Sequence, residues 1–444
     1  MPEATQACAP RLARRLGLFD ATMIAMGGIV GSGIFINPYV VARQVHTPAL
    51  IFGAWIFGGL VALAGGALYA ELAARRPDLN GQYAYLRDAY HPAVAFLYGW
   101  GLLLVIQTGG MAAVAVTFAH YFLATSGLGA PDWLVAVLVL AMLTLINCLG
   151  VRAGSNTQSL LMVLKIAAIA AIAGAGLWLG GRGQGFGPTL LDRPFSFDLL
   201  TAFGAAATPV LFAYGGWQTA SFMAAEMRSP ERDLSRAMLL GVSGVIVLYL
   251  AMNFSYLHVL GPNDLAATTT PATAVAERVL GARGAWLTAL AITVSTLGFL
   301  SQSMLTAPRV YFSMAEDGLF FKAVAWVSPR SRVPVTAIVL QGLMAAIIAV
   351  SGRYEQILNY VVSVDFLFIG LTGSCVFVYR RRAGWARSPH DTPGHPVTTL
   401  LFTGACWLVV LNTIFRYPSE TGVGLLILLA GLPAYVYWSR SNRG

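Results

Sequence analysis

The chain is short of charge, of lysine and of cysteine. Only 11% of its 444 residues are Asp, Glu, Lys or Arg, against about a quarter in a soluble globular chain. Hydrophobic residues make up 57%, and the mean hydropathy is +0.69. This excludes a water-soluble fold and leaves an integral membrane protein. The four cysteines, Cys8, Cys148, Cys375 and Cys406, form no CxxC pair. They supply neither a disulfide framework nor a metal-ligand set. P-loop, HExxH and GxSxG patterns are absent, which removes support for ATP-driven transport and for common hydrolase chemistry. His390 and His395 in "HDTPGH" have no cysteine beside them, and the six histidines are scattered, so neither a metal site nor a nucleophile–base pair is expected. No cofactor is implied.

What is present is a series of apolar runs, each about 20 residues long, the length that crosses a bilayer core. Twelve can be read, at 17–41, 49–74, 92–124, 131–150, 156–180, 199–225, 236–260, 283–315, 334–351, 355–379, 396–416 and 420–439. The first run is too long for a signal peptide and has no small-residue cleavage site, so it is expected to stay. The net charge of +9 is not a nucleic-acid footprint. With the N-terminus inside, about 20 basic residues fall on the inner connections and about 7 on the outer ones, a positive-inside bias that sets orientation. An even number of crossings then puts both termini in the cytoplasm of a multi-pass protein of the inner (plasma) membrane. The polar segments are short, and residues 1–444 are read as one domain. "PATAVAERVL" (271–280) is expected to be a short helix over the outer face. "RRPDLNGQYAYLRDAYHP" (75–92) alternates Tyr with charge and is expected to lie along the inner surface.

The first run contains "GGIVGSGIFINP", Gly27 to Pro38, although each Gly in a helix interior costs about 1 kcal/mol relative to Ala. The sixth run contains a second glycine cluster, "FAYGGW" at 212–217. Each cluster opens a block of five crossings, and five is odd, so the second block is inverted relative to the first. Paired broken helices in two inverted halves point to a transporter binding site. The competing reading, close helix packing of small residues, suits "GGLVALAGGA" at 58–67 better.

A broken helix offers two charged ends. The half that restarts near Gly33 presents free N–H groups to an anion. Gly31, Ser32 and Gly33 let a carboxylate approach the backbone, and the Ser32 hydroxyl adds a donor. Carbonyls freed near Ile29 and Val30, and near Phe212, Ala213 and Tyr214, suit an ammonium group. Together these describe the backbone of a zwitterionic amino acid. Phe212, Tyr214, Trp217 and Phe366 are candidate walls and gates. Charges within the runs are costly and mark function. Lys165, one of two lysines in the chain, stands deep in "LMVLKIAAIAA". It is expected to face the bundle interior, in place of a sodium ion, against freed carbonyls of the first run and hydroxyls of the eighth such as Ser295. A coupling-proton role is also open, since buried lysines give up their proton readily. Asp365 in "VVSVDFLFIG" is expected to line the substrate cavity. Glu71 and Glu226 lie near Arg75, Arg76 and Arg228, as inner-gate ion pairs or as surface pairs worth about 0–1 kcal/mol.

"GGIVGSGIF" at 27–35, "FAYGGWQTASFMAAEMRSPERDLSRA" at 212–237 and "TAPRVYFSMAEDGLF" at 306–320 resemble the amino acid–polyamine–organocation (APC) superfamily, most closely its L-amino-acid transporter branch and bacterial relatives. The resemblance runs in order along nearly the whole chain. It implies the leucine-transporter fold: 5+5 inverted repeats, here 17–180 and 199–379, plus two C-terminal helices within 396–439. Carboxylate contacts would fall on Gly31, Ser32 and Gly33, and amino-group contacts on carbonyls at Ile29 and around Phe212. Phe212 matches an aromatic gate and Gly215 a small residue beside the substrate. Lys165 matches a lysine that replaces a bound sodium, with Ser295 as its partner on the eighth span. Family members joined to a heavy chain carry a cysteine between spans 3 and 4. Here that loop reads "TSGLGAPDW", which argues against a disulfide-linked partner. The implied function is sodium-independent exchange of neutral L-amino acids. Asp365 and Lys165 keep open the alternative of proton-coupled symport, including of cationic amino acids.

Overall fold

The computed structural model describes residues 12–75, 81–180, 190–191, 193–351, 354–382, 391–416 and 418–441. Cys8 and His390 lie outside them. The described residues form helices and no strands; one isolated bridge, Leu16 to Met227, ties the start of the chain to the region after the sixth run.

In chain order the helices are α1 (Leu18–Ile29), α2 (Gly33–Gln44), α3 (Pro48–Arg75), α4 (Gly81–Ala89), α5 (Pro92–Gly101), α6 (Gln107–Ser126), α7 (Asp132–Cys148), α8 (Val151–Leu179) and α9 (Phe197–Ala213). Then come α10 (Pro230–Val259), α11 (Gly261–Ala267), α12 (Pro271–Leu280), α13 (Ala282–Thr306), α14 (Pro308–Glu316), α15 (Val335–Val350), α16 (Tyr354–Arg381), α17 (Val397–Arg416), α18 (Pro418–Leu429) and α19 (Gly431–Ser441). A π-helical turn, Leu102–Ile106, joins α5 to α6, and a 3₁₀ segment, Trp217–Glu226, follows α9. Among the described residues, nine continuous helical stretches are long and apolar enough to cross a membrane. The pair α1 and α2, bent by 43°, makes a further span if taken as one. The runs at 131–150 and 334–351 are the shorter apolar helices α7 and α15, of 17 and 16 residues.

The two broken runs lie against each other. α1 packs on the 3₁₀ segment and α2 packs on α9. The first half of each run therefore sits beside the second half of the other, so the two are antiparallel. Around them, α3 packs on α10, α8 on α1 and α10, α13 on α6 and α8, and α16 on α6 and α17. The glycines of "GGLVALAGGA" serve packing: Gly58 abuts Val210 and Tyr214, Gly59 abuts Ile246, and Gly66 abuts Val242.

The segment 271–280 is helical, as expected. The expectation for 75–92 needs correction in its described part. In α4, Gln82, Tyr83, Tyr85 and Leu86 have no exposure, and the helix packs against the 3₁₀ segment, α5 and α16. Tyr83 and Tyr85 are buried anchors, while Tyr90 at the end of the stretch is exposed. Tyr83 donates a hydrogen bond to Asp317 at 2.9 Å, and Arg87 pairs with the same carboxylate.

Candidate functional site

α1 stops at Ile29. Val30 turns to extended geometry (φ −76°, ψ 96°), and Ser32 starts α2 without capping it through its own hydroxyl. The opening N–H groups of α2 have no partner within the helix. In the sixth run, α9 ends at Ala213, and Gly216 adopts φ +106°, a conformation that suits glycine. The two breaks touch: the space for a Cβ on Gly28 is occupied by the Gly216 carbonyl, and that on Gly216 by the Gly28 carbonyl. Only glycine permits this approach. Pro38 has no N–H to offer the Ile34 carbonyl four residues earlier, and Tyr256 Oη donates to that carbonyl at 3.1 Å. Asn37 Nδ2 donates to the Pro209 carbonyl at 2.8 Å and links the two broken runs again.

The freed carbonyls are shared out. Lys165, with no exposure, donates to the Val30 carbonyl. Ser295 Oγ donates to the next carbonyl, that of Gly31, at 3.3 Å. Lys165 and Ser295 thus hold two consecutive carbonyls at the end of α1. Tyr249 Oη stands 3.2 Å from both the Ile29 and the Ala213 carbonyls. A phenol has a single proton to donate, so one of these two carbonyls is left to accept from another group.

Both breaks open on one cavity of about 240 Å³. Ile29, Gly31, Ser32, Gly33, Phe212, Ala213, Gly215, Asp365 and Phe366 line it, which brings together most of the residues singled out in the sequence. Phe212 is 42% exposed, so its ring is open to the cavity instead of locked in packing. Lys165 and Ser295 stand behind the α1 break and do not line the cavity. Tyr214 and Trp217 face elsewhere. Tyr214 packs edge-on to Trp55 and beside Tyr249, and Trp217 packs edge-on to Tyr69, with ring centroids 4.8 Å apart. These two line a separate cavity of about 20 Å³ between α3, α9, α16 and α17.

The cavity also has a polar wall that no sequence motif marked. Gln107, Gln218, Thr219, Gln302 and Ser303 line the cavity. Gln218 Oε1 accepts from the Gly216 N–H at 2.9 Å, Thr219 Oγ1 donates to the Gly216 carbonyl at 2.6 Å, and Gln302 Nε2 donates to Thr219 Oγ1 at 2.6 Å. Tyr249 was also missed, although Tyr249, Asn253 and Tyr256 recur at helical spacing in an apolar run and so mark one polar face. The π turn next to Gln107 carried no signal in composition. Such turns often sit at functional sites.

Among the described residues, Glu71 and Glu226 pair with arginines other than Arg75 and Arg228, and Arg76 lies outside the described residues. Glu226 receives Arg309 Nε at 2.6 Å, with both side chains buried. Glu71 receives both ends of the Arg380 guanidinium fork at 2.8 Å, plus the Thr392 N–H at 2.7 Å. The Glu226 carbonyl also accepts from the Arg15 and Leu16 N–H groups. Burial selects these partners, because a glutamate inside the bundle needs a cation brought from a distant helix. This ion-paired layer lies at the end of the molecule where α1 begins. A smaller cavity of about 30 Å³ lies beside α2 and shares Ser32 and Thr117 with the main one. His395 Nδ1 meets Thr399 Oγ1 at 2.8 Å.

A family model described as amino acid permease matches residues 16–432. The serine/threonine exchanger SteT of Bacillus subtilis (strain 168) is 32% identical over 431 residues, covering 96% of each chain. The human large neutral amino acids transporter small subunit 2 is 29% identical over 455 residues, covering 97% of this chain and 82% of the relative. The human b(0,+)-type amino acid transporter 1 is 30% identical over 434 residues, covering 96% and 88%.

Proposed function

This chain belongs to the amino acid permease family, and on that premise we propose that it is a sodium-independent exchanger of L-amino acids, with neutral side chains accepted by the largely apolar cavity wall. Two antiparallel broken helices opening on one cavity carry this reading. The substrate carboxylate meets the N–H groups that start α2 at Gly31, Ser32 and Gly33. The ammonium meets whichever of the Ile29 and Ala213 carbonyls Tyr249 leaves free. Phe212 and Phe366 close over the side chain, beside Gly215. Lys165 and Ser295 supply from within the protein the positive charge and hydroxyl that a sodium ion and its ligands would otherwise bring to the end of α1.

The architecture we assign is twelve crossings: inverted repeats at 17–180 and 199–379 and two further helices within 396–439, with both termini cytoplasmic in the inner (plasma) membrane. Alternating access about a fixed central site follows from such repeats. Exchange is supported by the name of the bacterial relative.

Gly31 provides the test. It lines the cavity, and a Cβ there would meet only the Phe299 ring, at 3.9 Å. Gly31→Val is therefore expected to fold with an unchanged elution profile and to weaken amino-acid binding by about tenfold or more, roughly 1.4 kcal/mol for each factor of ten. Wild-type affinity in the folded variant would remove the α1–α2 break from the site.

A further inference from the structure

We infer that Arg309 is a second receptor for the substrate carboxylate, on the inner side of the main cavity, and that it takes the carboxylate of a passing amino acid in place of Glu226 as the inner route opens. The inference rests on the reading that the helix breaks hold the amino-acid backbone, and it adds a stop between that site and the inner face. The two buried glutamates hold their arginines differently. Glu71 engages both ends of the Arg380 fork and accepts the Thr392 N–H besides. Glu226 meets Arg309 through Nε alone, at 2.6 Å. Nη1 and Nη2 of Arg309 and Oε2 of Glu226 are buried and have no hydrogen-bond partner among the described residues. A guanidinium is a planar fork that holds a carboxylate by two parallel N–H groups, and idle donors inside a protein are costly. A pair made through one nitrogen leaves room for a second carboxylate on the same arginine. A saturated pair such as Glu71 with Arg380 does not.

The pair also stands on the route. Thr219, Phe222 and Gln302 line the main cavity. Glu226 closes the 3₁₀ segment in which Phe222 lies. Gln302 Nε2 donates to Thr306 Oγ1 at 3.3 Å, and Arg309 follows Thr306 at the start of α14. On the far side, the Glu226 carbonyl accepts from the Arg15 and Leu16 N–H groups ahead of α1, at 2.8 and 3.0 Å. Arg309 and Glu226 therefore lie between the cavity and the end of the molecule where the chain starts. No Lys, Arg or His is among the described residues that line the cavity, and Lys165 is bonded to the Val30 carbonyl behind the break. A carboxylate that leaves the start of α2 and moves inward meets its cation at Arg309.

The test follows exchange of labelled L-leucine or L-serine, whichever the wild type exchanges, by purified full-length protein inserted in one orientation in preloaded proteoliposomes. Substrate concentration is varied on one face at a time. Arg309→Gln is expected to raise the inner-face KM about tenfold or more, as loss of one partner of a desolvated charge pair does, and to leave the outer-face KM within about twofold. Glu226→Gln removes the competing carboxylate and keeps the arginine, so it is expected to lower the inner-face KM. A merely structural tie would move both variants the same way. Shifts of the same direction in the two variants, or equal shifts on both faces in Arg309→Gln, would overturn the inference. If the single variants do not fold, the doubly neutral Glu226→Gln/Arg309→Gln decides: a KM raised on the inner face alone supports the inference, and any other pattern overturns it. These outcomes leave the transport reading standing, whereas absence of wild-type exchange for every amino acid would sink both.

Discussion

Lys165 and Ser295 occupy the end of α1 as a pair, one on the Val30 carbonyl and one on the Gly31 carbonyl. Backbone acceptors inside a membrane must be satisfied within the protein. Removing the lysine leaves one of them bare at a cost of about 1–3 kcal/mol and takes away a positive charge next to the break. Lys165→Met keeps most of the side-chain volume and discards the donor. Its exchange rate in proteoliposomes is expected to fall about tenfold or more, in line with the loss of more than about 1.4 kcal/mol from a working conformation. A wild-type rate in Lys165→Met would mean that the ammonium is dispensable. At this scale the sequence is legible where a residue is out of place. A lysine amid "LMVLKIAAIAA" and an aspartate amid "VVSVDFLFIG" stand out against their runs. Tyr214 and Trp217 do not reveal their direction, because an aromatic beside a break packs equally well toward the cavity or toward Trp55 and Tyr69.

Two elements are built around glycine. α1 and the sixth-run break approach back to back at Gly28 and Gly216, and this contact fixes where the α2 N-terminus points. A methyl at Gly28 would run into the Gly216 carbonyl and lie 2.8 Å from Thr219 Oγ1. Overpacking against backbone costs about 1–3 kcal/mol. Gly28→Ala is thus expected to lower the thermal unfolding midpoint clearly, whereas Gly31→Ala, whose methyl would make only an ordinary contact with the Phe299 ring, should not. Equal midpoints for the two variants would contradict the close approach. Both breaks were readable as glycine clusters, since helix interiors avoid glycine. α4 and the π turn were not. The burial of "GQYAYLRDA" depends on Asp317, Ser221 and α16 arriving from far along the chain, and a π turn is one extra residue in an otherwise ordinary apolar run.

The whole molecule holds a cavity near its centre and a paired, buried layer at the end where the chain starts, with Glu226 on Arg309 and Glu71 on Arg380. Apolar run length revealed the sequence of helices, and charge asymmetry suggested their orientation. The partners of the two glutamates could not be read, because pairing across 83 and 309 residues is decided by how helices pack. We propose that this molecule exchanges amino acids without sodium. Uptake of a labelled amino-acid mixture into sodium-free proteoliposomes, with no pH gradient and with the vesicles either empty or preloaded with unlabelled amino acids, tests it most directly. Strong uptake into preloaded vesicles and little into empty ones is the predicted result; equal uptake into both, or uptake that appears only when sodium is added, would contradict it.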